Sequence, residues 1–285
     1  MTTALDSIVL RNGIIAVAVL PAQGGKITEM RFAGDARNYI WFDERQAAKY
    51  DPAADYDPQF SGGIEELLPS DIPETIDGIA YPDHGELWRT PLCVEQSCDN
   101  QLLLTATLNS TGFYYRREMM LDGNSLLCKT TIRNIGEHTK HFLWKLHGAV
   151  SIAPGDTIHI PANCMTAADV EWSTLPDIMP RAFCGIITAP ENDGSSEFLY
   201  LTDLNGNCCE AHFSDGHRLR CEFDGRIFTT IWYFGTYGKL NGSYTGILEP
   251  CMNYPASIKD AVSGGCCASL EPSESLSTTV KWTLL

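Results

Sequence analysis

Basic residues are scarce in this chain of 285 residues, which has 20 lysines and arginines against 36 aspartates and glutamates. The formal net charge is therefore −16 at pH 7. Nucleic acids and anionic lipid surfaces are bound through clusters of basic side chains, so this balance argues against either as a partner. The composition favours a small, neutral or polar partner molecule, and we expect a monomer or a homodimer.

The sequence also lacks a recognisable targeting or membrane-spanning segment. Its first residues show no basic stretch followed by an apolar one, the pattern of a secretory signal. The early apolar run from Gly13 to Ala22 is too short to cross a bilayer and is interrupted by Pro21. We therefore expect a cytoplasmic protein that does not bind membranes.

Metal-binding cysteine spacing is absent, although the chain has 11 cysteines. No two of them form a CxxC pair, and the neighbours Cys208-Cys209 and Cys266-Cys267 are poorly spaced for a metal ion. We interpret the thiols as reduced and mostly structural. Histidine gives no better metal set, because His138 lies in a predicted turn, so no metal or other cofactor is expected.

Long helical patterns are missing, and short β-rich segments take their place. Strands are predicted over residues 7–10, 14–20, 102–108, 114–121, 125–132, 141–152, 198–202, 218–223, 228–234 and 277–284. Asn-Gly or Asp-Gly pairs begin at residues 12, 122, 205, 224 and 241 and favour tight hairpins. Short helices are predicted only over residues 43–50 and 254–262. The pattern predicts one all-β domain over residues 1–285, a sandwich or barrel of antiparallel strands.

Two candidate motifs occur in the first third of the chain. The first, Ser61 to Asp71, has two glycines followed by Glu65 and Glu66 in an apolar stretch. These carboxylates either serve a site or lie solvated on an edge strand. The second runs from Tyr81 to Pro91 and contains Asp83, His84, Glu86, Trp88 and Arg89. If this segment is a strand, His84, Glu86 and Trp88 share one face and could bind a sugar; otherwise it is a loop histidine beside a core tryptophan.

Two later motifs add a histidine and a glutamate. In the predicted strand 141–152, Lys145 and His147 fall on the face opposite Trp144 and Leu146. A histidine late in a strand can present its ring to a pocket and exchange protons near neutral pH. Glu249 ends an apolar strand before a proline, where burial would raise the pKa of its carboxyl, unless it faces water.

These motifs, taken in this order, resemble the aldose 1-epimerase (galactose mutarotase-like) superfamily, and the resemblance covers nearly the whole chain. The matching elements are the strand–turn segment Leu20 to Ile27, Ser61-Gly-Gly with Pro69, Asp83-His-Gly85, His147, Leu248-Glu-Pro250, and the closing turn Leu270 to Leu276. The resemblance implies a β-supersandwich with a sugar site on a concave sheet. It also implies interconversion of the α and β anomers of an aldose, without a cofactor.

The resemblance further implies roles for individual residues. Glu249 would be the base on the C1 hydroxyl, His147 the acid on the ring oxygen, and His84 a hydrogen-bonding partner that helps hold the charge. Further contacts with the sugar are expected from residues of the same motifs and from one aromatic residue of the strand 228–234: Glu65, Glu66, Asp83, Glu86, Trp88, Arg89 and Tyr233. Tyr233 could equally belong to the core, and Trp88 or Phe234 could stack on the ligand in its place.

The chain departs from the best-known branches of this superfamily. Hexose-6-phosphate mutarotases carry arginines at the positions occupied here by Ser61 and Trp88, and Arg89 is one place away. The asparagine-arginine motif of galactose mutarotases is also absent before His84. Because the surrounding acidic residues disfavour an anion, a neutral or amino-bearing sugar is expected.

Two other functions stay open on the sequence alone. The same fold could serve a non-catalytic carbohydrate-binding or regulatory protein, since fold does not fix function. It could also carry another carbohydrate-active enzyme, a lyase or a glycosidase. A glycosidase would need a second carboxylate beside Glu249, for which Glu65 and Glu86 are the candidates.

Overall fold

The computed structural model describes residues 6–76, 78–252 and 256–285, and strands dominate its regular structure. The strands in these ranges are, in chain order, β1 (Ile8–Arg11), β2 (Ile15–Leu20), β3 (Lys26–Phe32), β4 (Ile64–Leu67), β5 (Glu74–Ile76), β6 (Ile79–Tyr81), β7 (Cys93–Cys98), β8 (Gln101–Thr107), β9 (Phe113–Asp122), β10 (Ser125–Asn134), β11 (Lys140–Phe142), β12 (Lys145–Val150), β13 (Thr157–His159), β14 (Ala162–Ala167), β15 (Arg181–Ala182), β16 (Ile186–Thr188), β17 (Ser195–Leu204), β18 (Cys208–His212), β19 (Arg218–Glu222), β20 (Thr230–Tyr237), β21 (Tyr244–Cys251), β22 (Ala268–Leu270) and β23 (Ser275–Leu284). The α-helices in the same ranges are α1 (Glu44–Ala47), α2 (Tyr56–Gln59) and α3 (Ile258–Ser263). No helix in these ranges is long and apolar enough to cross a membrane.

Two large antiparallel sheets form the body of the described structure. The first has ten strands in the order β1-β2-β3-β4-β12-β21-β20-β17-β14-β15. The second has nine strands in the order β16-β13-β18-β19-β23-β10-β9-β8-β7. One continuous apolar core contains side chains from both sheets, including Trp144 beside β12 and Trp282 on β23. The predicted all-β architecture of antiparallel sheets is confirmed.

The two sheets differ in how their faces are covered. Along β9 and β10 of the second sheet, buried positions alternate with more exposed ones, as expected when only one face meets a core. In the first sheet every residue of β4 and β12 is buried. Tyr56 and Phe60 at α2 supply part of the cover, because they pack with Leu67, Ala149 and Ile247 on the outer face. The middle of this sheet is therefore enclosed on both sides.

A close contact between the sheets fixes the position of the central strand β12. A Cβ atom at Gly148 would lie 2.5 Å from the indole ring of Trp282, a distance that side chains cannot tolerate. Glycine is therefore required for the indole to pack against β12. The contact holds the strand at the residue directly after His147.

The turns predicted from Asn-Gly and Asp-Gly pairs divide into two kinds. The pairs at residues 12, 122 and 241 lie in hairpins that join β1 to β2, β9 to β10 and β20 to β21. Those at residues 205 and 224 carry the chain from one large sheet to the other, so the hairpin prediction is wrong for them. The glycines of the three hairpin pairs have a left-handed φ, whereas Gly206 and Gly225 do not, and the dipeptide alone does not distinguish the two kinds of turn.

Three predicted segments end at different places in the structure. The strand expected over residues 141–152 is divided into β11 and β12 by Leu143 and Trp144. The helix expected over residues 43–50 is the four-residue α1, capped by the Asp43 carboxylate on the backbone of the first turn. The helix expected over residues 254–262 corresponds to α3, while Tyr254 lies outside the described residues.

Glu66 joins the two sheets through a buried polar network. Its carboxylate lies 3.1 Å from Arg117 Nε and accepts hydrogen bonds from the Tyr115 hydroxyl, Thr130 Oγ1 and Trp144 Nε1. Tyr115 and Arg117 lie on β9 and Thr130 on β10, so one carboxylate of the first sheet binds two strands of the second. Removal of one partner would leave a buried charge without compensation.

Replacing Glu66 tests this network. We expect Glu66→Gln to lower the free energy of unfolding by about 3 kcal/mol, because the Arg117 guanidinium then stays buried without its counter-charge. The matched control is Glu222→Gln, which removes a partly exposed carboxylate 3.2 Å from Lys281 and should cost less than about 0.5 kcal/mol. Denaturant unfolding of both variants measures the difference, and equal losses would contradict the assigned role of Glu66.

Candidate active site

Neighbouring strands of the first sheet place a row of ionisable side chains on its outer face. The strand β12 lies between β4 and β21. The register pairs His147 with Glu65, and the pairing of Gly148 with Leu248 sets His147 beside Glu249. Lys145 lies two residues before His147 and therefore shares its face. An imidazole and carboxylates are thus brought together by strand pairing rather than by loop conformation.

A cavity of about 260 Å³ opens over this row. Its polar end is formed by Asp71, His84, Lys145, His147 and Glu249. Its other wall is apolar and is formed by Phe60, Trp172, Phe198, Phe234, Leu240 and Ile247. The volume is close to the lower end of the range of small-molecule sites, about 300–1,000 Å³. A concave pocket with converging polar groups opposite an aromatic wall suits a single small polar ring.

Lys145 is held between two carboxylates at the polar end. Its Nζ lies 2.5 Å from Asp71 Oδ1 and 2.7 Å from Glu249 Oε2. The same Nζ lies 4.3 Å from the ring centroid of Trp232, the residue paired with Glu249 on the next strand. All of these side chains are buried. Charges removed from water in this way need close partners, and each of the three has one.

The two carboxylates have opposite pKa shifts. Burial raises the pKa of Glu249 above its usual value, and the attraction of Lys145 offsets only part of this rise. Burial also acts to raise the pKa of Asp71, but the charges of Lys145 and His84 outweigh it and lower the pKa. Glu249 is thus the group whose proton exchange is moved toward neutral pH, as a general base or acid requires.

His84 is placed by a tight turn that packs on the segment after β4. Its backbone is left-handed, with φ of 52°, and its N–H donates to the Asp71 carbonyl at 2.6 Å. Gly85 follows with φ of 67°, and a Cβ there would lie 2.3 Å from the Leu68 carbonyl oxygen. The histidine-glycine pair of the sequence is therefore explained by close packing of two backbone segments. The His84 ring stacks on Tyr56, with centroids 4.1 Å apart.

The two cavity histidines also have opposite pKa shifts. Burial acts to lower the pKa of His84, but a hydrogen bond of 3.0 Å between its Nδ1 and Asp83, together with the charge of Asp71, raises it above the usual value. Burial first, and then the charges of Lys145 and His84, lower the pKa of His147 well below 6.5. His84 is therefore the imidazole that holds a proton more readily near neutral pH, and His147 is neutral.

Aromatic and acidic side chains around His147 orient its ring. The Tyr56 hydroxyl donates to Glu65 Oε2 at 2.7 Å and lies 3.4 Å from His147 Nδ1. Phe60 packs edge-on against the same imidazole, with centroids 5.9 Å apart. Glu65 is buried and paired with Lys26, whose Nζ lies 2.5 Å from Oε1. Glu65 thus supports Tyr56 and His147 from behind, and Nε2 is left as the ring nitrogen available to a ligand.

The segment from His84 to Arg89 is not the predicted strand. It is a turn followed by a 3-10 helix, Leu87–Arg89, so His84, Glu86 and Trp88 do not share a strand face. Glu86 is buried away from the cavity and accepts hydrogen bonds from the backbone N–H groups of Asn109 and Ser110. Trp88 packs edge-on against Tyr56, and the Arg89 guanidinium lies over the Trp88 ring. None of these three residues lines the cavity, and neither does Asp83.

Two residues predicted to contact the sugar lie on the other face of the first sheet. Glu66 binds Arg117 between the sheets, and the Tyr233 hydroxyl is hydrogen-bonded to that of Tyr237 at 2.9 Å within the core. Successive residues of a strand point to opposite faces, so Glu65 and Phe234 face outward where Glu66 and Tyr233 face inward. Glu66 and Tyr233 are therefore not candidates for contact with a ligand in this cavity.

Three important cavity residues were not predicted from the sequence as site residues: Tyr56, Asp71 and Lys145. For Lys145 a signal was present, because it shares a strand face with His147. Asp71 ends the glycine-containing motif, but nothing local indicates that it reaches the end of β12. Tyr56 belongs to a segment with no regular hydrophobic pattern, so its contact with both histidines depends on the folded chain.

Comparison with known proteins finds similar solved structures but no matching family model or curated sequence. The Slr1438 protein of Synechocystis sp. PCC 6803 is 21% identical at a TM-score of 0.80, covering 100% of this chain and 97% of that one. A galactose mutarotase related enzyme from Lactobacillus acidophilus is 13% identical at a TM-score of 0.74, covering 98% and 97%.

A galactose mutarotase-like protein from Lactobacillus casei ATCC 334 is 12% identical at a TM-score of 0.72, and covers 98% of this chain and 100% of that one. Similarity at these identities shows the fold alone. The chain therefore has the galactose mutarotase-like fold over its length, and the resemblance inferred from the four motifs is confirmed at that level.

The opposite shifts of the two histidines can be measured directly. We expect His84 to lose its proton above pH 6.5 and His147 to lose its proton well below pH 6.5, as read from the ¹⁵N shifts of the imidazole nitrogens. His84→Asn and His147→Asn assign the two signals. Asp83→Asn removes the hydrogen bond that raises the pKa of His84 and should lower it. A single common pKa for both rings would contradict the assigned geometry.

Proposed function

We propose that this protein interconverts the α and β anomers of an unphosphorylated aldose by acid–base ring opening and reclosure. The observation that carries the proposal is the placement of Glu249 and His147 side by side on paired strands, under one cavity. Both groups exchange protons, both are buried, and both line the cavity at its polar end. The fold shared with proteins named as mutarotase-like supports the same assignment.

In the proposed reaction Glu249 accepts the proton of the C1 hydroxyl, and His147 gives a proton to the ring oxygen from its imidazolium form, which is the minor form of this ring near neutral pH. The C1–O5 bond breaks as the C1–O1 bond becomes a carbonyl, and an open-chain aldehyde results. Rotation about C1–C2 presents the other face of the carbonyl, and the reverse proton transfers close the ring as the other anomer. Atoms and charge balance without any oxidant, metal or cofactor.

The pKa shifts at the site favour the proton arrangement of the open-chain state. In the closed state that reacts, Glu249 is a carboxylate and His147 an imidazolium; in the open state Glu249 is protonated and His147 neutral. The raised pKa of Glu249 and the lowered pKa of His147 both favour the second arrangement. The reactive arrangement is therefore the less populated one in the free protein, and a raised pKa makes Glu249 a stronger base and a lowered pKa makes His147 a stronger acid once it is formed.

His84 supplies a second positive group at the polar end. Its pKa is raised, and it lies in the same cavity as Glu249 and His147. A protonated imidazole there can donate a hydrogen bond to an oxygen of the sugar while negative charge develops on it. Asp83 holds the ring through Nδ1, so Nε2 is the donor available to the ligand.

The charge of the cavity determines which aldoses fit. Among its described lining residues, Asp57, Asp71, Asp169 and Glu249 are acidic, and Lys145 is the one lysine or arginine. A phosphate group needs a surplus of positive charge, and Lys145 is already occupied by two carboxylates. The site therefore suits a neutral or amino-bearing sugar.

The aromatic wall gives the sugar ring an apolar surface. Phe234 lies between Trp172 and Phe198, with ring centroids 5.7 Å and 5.5 Å away. The apolar face of a pyranose can pack on such a ring while its hydroxyls reach the polar end. Of the three aromatic residues considered from the sequence, Phe234 lines the cavity and Trp88 and Tyr233 do not.

One observation favours a second function, hydrolysis of a glycoside. Asp71 and Glu249 both lie within hydrogen-bonding distance of the same ammonium group, so they form a close carboxylate pair. Their pKa values are moved in opposite directions, as in an acid and nucleophile pair. Release of nitrophenol from aryl glycosides distinguishes this activity from anomer exchange.

The activity is tested by anomer exchange. We expect the wild-type protein to accelerate α/β saturation transfer in NMR spectra of at least one neutral or amino-bearing aldose, and Glu249→Gln and His147→Asn each to lower the rate at least ~100-fold. Glu222→Gln and His159→Asn are matched controls, because they change the same residue types on the second sheet, outside the cavity. They should keep the wild-type rate.

Two results would count against this proposal in different ways. If no aldose is accelerated by the wild-type protein, the activity is wrong, and a carbohydrate-binding role without catalysis gains support. If an aldose is accelerated equally by wild type and by both cavity variants, the activity stands but Glu249 and His147 do not perform it.

Replacing Phe234 tests the aromatic wall. We expect Phe234→Leu to raise KM about tenfold with little change in kcat, since the lost packing is the same in ground and transition states. The neighbouring control is Tyr233→Phe, which removes a core hydroxyl on the opposite face of the same strand and should leave KM unchanged. Initial rates over a range of sugar concentrations give both constants; equal effects in the two variants would contradict the placement.

A further inference from the structure

Lys145 is a buried lysine that lines the cavity and forms ion pairs on two sides. Its Nζ contacts Asp71, from the segment after β4, and Glu249, from β21. It is therefore connected both to the proposed base and to the loop segment whose carbonyl anchors His84. No sequence motif assigned it a role.

A covalent role for Lys145 is disfavoured by its surroundings. An amine must be unprotonated to attack an aldehyde. Burial acts to lower the pKa of Lys145, but Asp71 and Glu249 outweigh it and raise the pKa far above the usual value. The ammonium form holds three protons and no lone pair, so imine formation with an open-chain sugar is not available to it.

The ammonium instead acts on its neighbours through its charge. It attracts the carboxylate form of Glu249, and it is the second-largest influence, after burial, on the low pKa of His147. Without it, two buried carboxylates would face each other, and one of them would take up a proton near neutral pH.

We propose that Lys145 is a positioning residue, which holds Glu249 as a carboxylate aimed at the anomeric hydroxyl while Asp71 fixes the ammonium from the other side. The proposal rests on the proposed function for the identity of the reaction, but the electrostatic part of it concerns the free protein. Asp71, in this arrangement, links the base to the turn that carries His84.

Other charged and titratable groups around the pair come from several elements. They are His84 and Asp83 from the turn, Tyr56 and Asp57 from α2, Glu65 from β4, Lys26 from β3, His147 from β12, Cys251 from β21 and Asp169 near the mouth. Of these groups, His84 favours the ionised form of Glu249, as Lys145 does. Asp71, the other partner of Lys145, opposes that form. Lys26 is paired with Glu65 and serves as the reference lysine on the same sheet face.

The direction of the pH effect follows from these signs. Loss of the Lys145 charge raises the pKa of Glu249. Because a base works above its pKa, the acidic limb of the kcat/KM profile then moves to higher pH. The same loss raises the pKa of His147 and moves the alkaline limb upward as well. We expect both limbs of Lys145→Met to move together by about one to three pH units.

Three comparison variants separate charge from packing. Lys145→Arg keeps the charge and should restore limbs close to those of wild type, even if kcat is lower. Asp71→Asn removes a negative neighbour and should move the acidic limb downward, opposite to Lys145→Met. Lys26→Met removes a buried ion pair of the same kind. It should lower thermal stability and raise the pKa of His147 without moving the Glu249 limb.

Titration of the free protein keeps this test independent of turnover. The pKa of Glu249 is read from the side-chain carboxyl signal of ¹³C-glutamate-labelled protein, assigned with Glu249→Gln. A higher pKa in Lys145→Met and a lower one in Asp71→Asn support the proposal even if no aldose is turned over. An unchanged Glu249 pKa in folded Lys145→Met, or an activity loss equal at every pH, would overturn it. If Lys145→Met does not fold, Lys145→Gln takes its place, and a raised Glu249 pKa in that variant supports the proposal while an unchanged one overturns it.

Discussion

The contact of one lysine ammonium with two buried carboxylates is the interaction on which the polar end of the cavity depends. Three ionised groups are removed from water at this point, and burial of any one alone would be strongly unfavourable. Their mutual attraction makes the arrangement possible, and it joins β12, β21 and the segment after β4. The position of Glu249, the proposed base, is thus fixed by electrostatics as much as by the strand that carries it.

The rest of the fold makes that contact possible by enclosing the middle of the first sheet. Its inner face packs on the second sheet, where Gly148 receives the Trp282 ring and Glu66 binds Arg117. Its outer face is covered by Tyr56 and its neighbours at α2. A low-polarity environment on both sides moves the pKa values of Glu249 and His147, whereas the same residues on an open sheet would exchange protons at ordinary pH.

The features that depend on local pattern could be predicted from the sequence. Alternation of apolar residues locates most strands, and the motifs around His147 and Glu249 identify two side chains that the structure places together. Strand alternation could also have separated Glu65 from Glu66 and Tyr233 from Phe234, because neighbours in a strand face opposite ways. Glu66 and Tyr233 were wrongly predicted to contact the sugar because every polar or aromatic residue of a motif was assigned to the site.

Other features depend on contacts distant in sequence and could not be predicted in this way. The segment around His84 has the alternation of a strand, yet its backbone turns because Gly85 packs against the Leu68 carbonyl. Asp71 and Lys145 are separated by 74 positions, and only the folded chain brings their charged groups together. Local sequence carries little information on such a pair, since either side chain alone would be expected in water.

The same ion pairs limit the chemistry of the ligand. A single lysine in a small-molecule cavity suggests a phosphate site, but a cation already matched by two carboxylates offers an anion no net attraction. A phosphate would have to displace Asp71 or Glu249, which would leave a buried carboxylate unpaired and remove the proposed base from its position. The same arrangement of Lys145 therefore keeps the proposed base ionised and disfavours an anionic ligand, and this links the proposed mechanism to the proposed class of substrate.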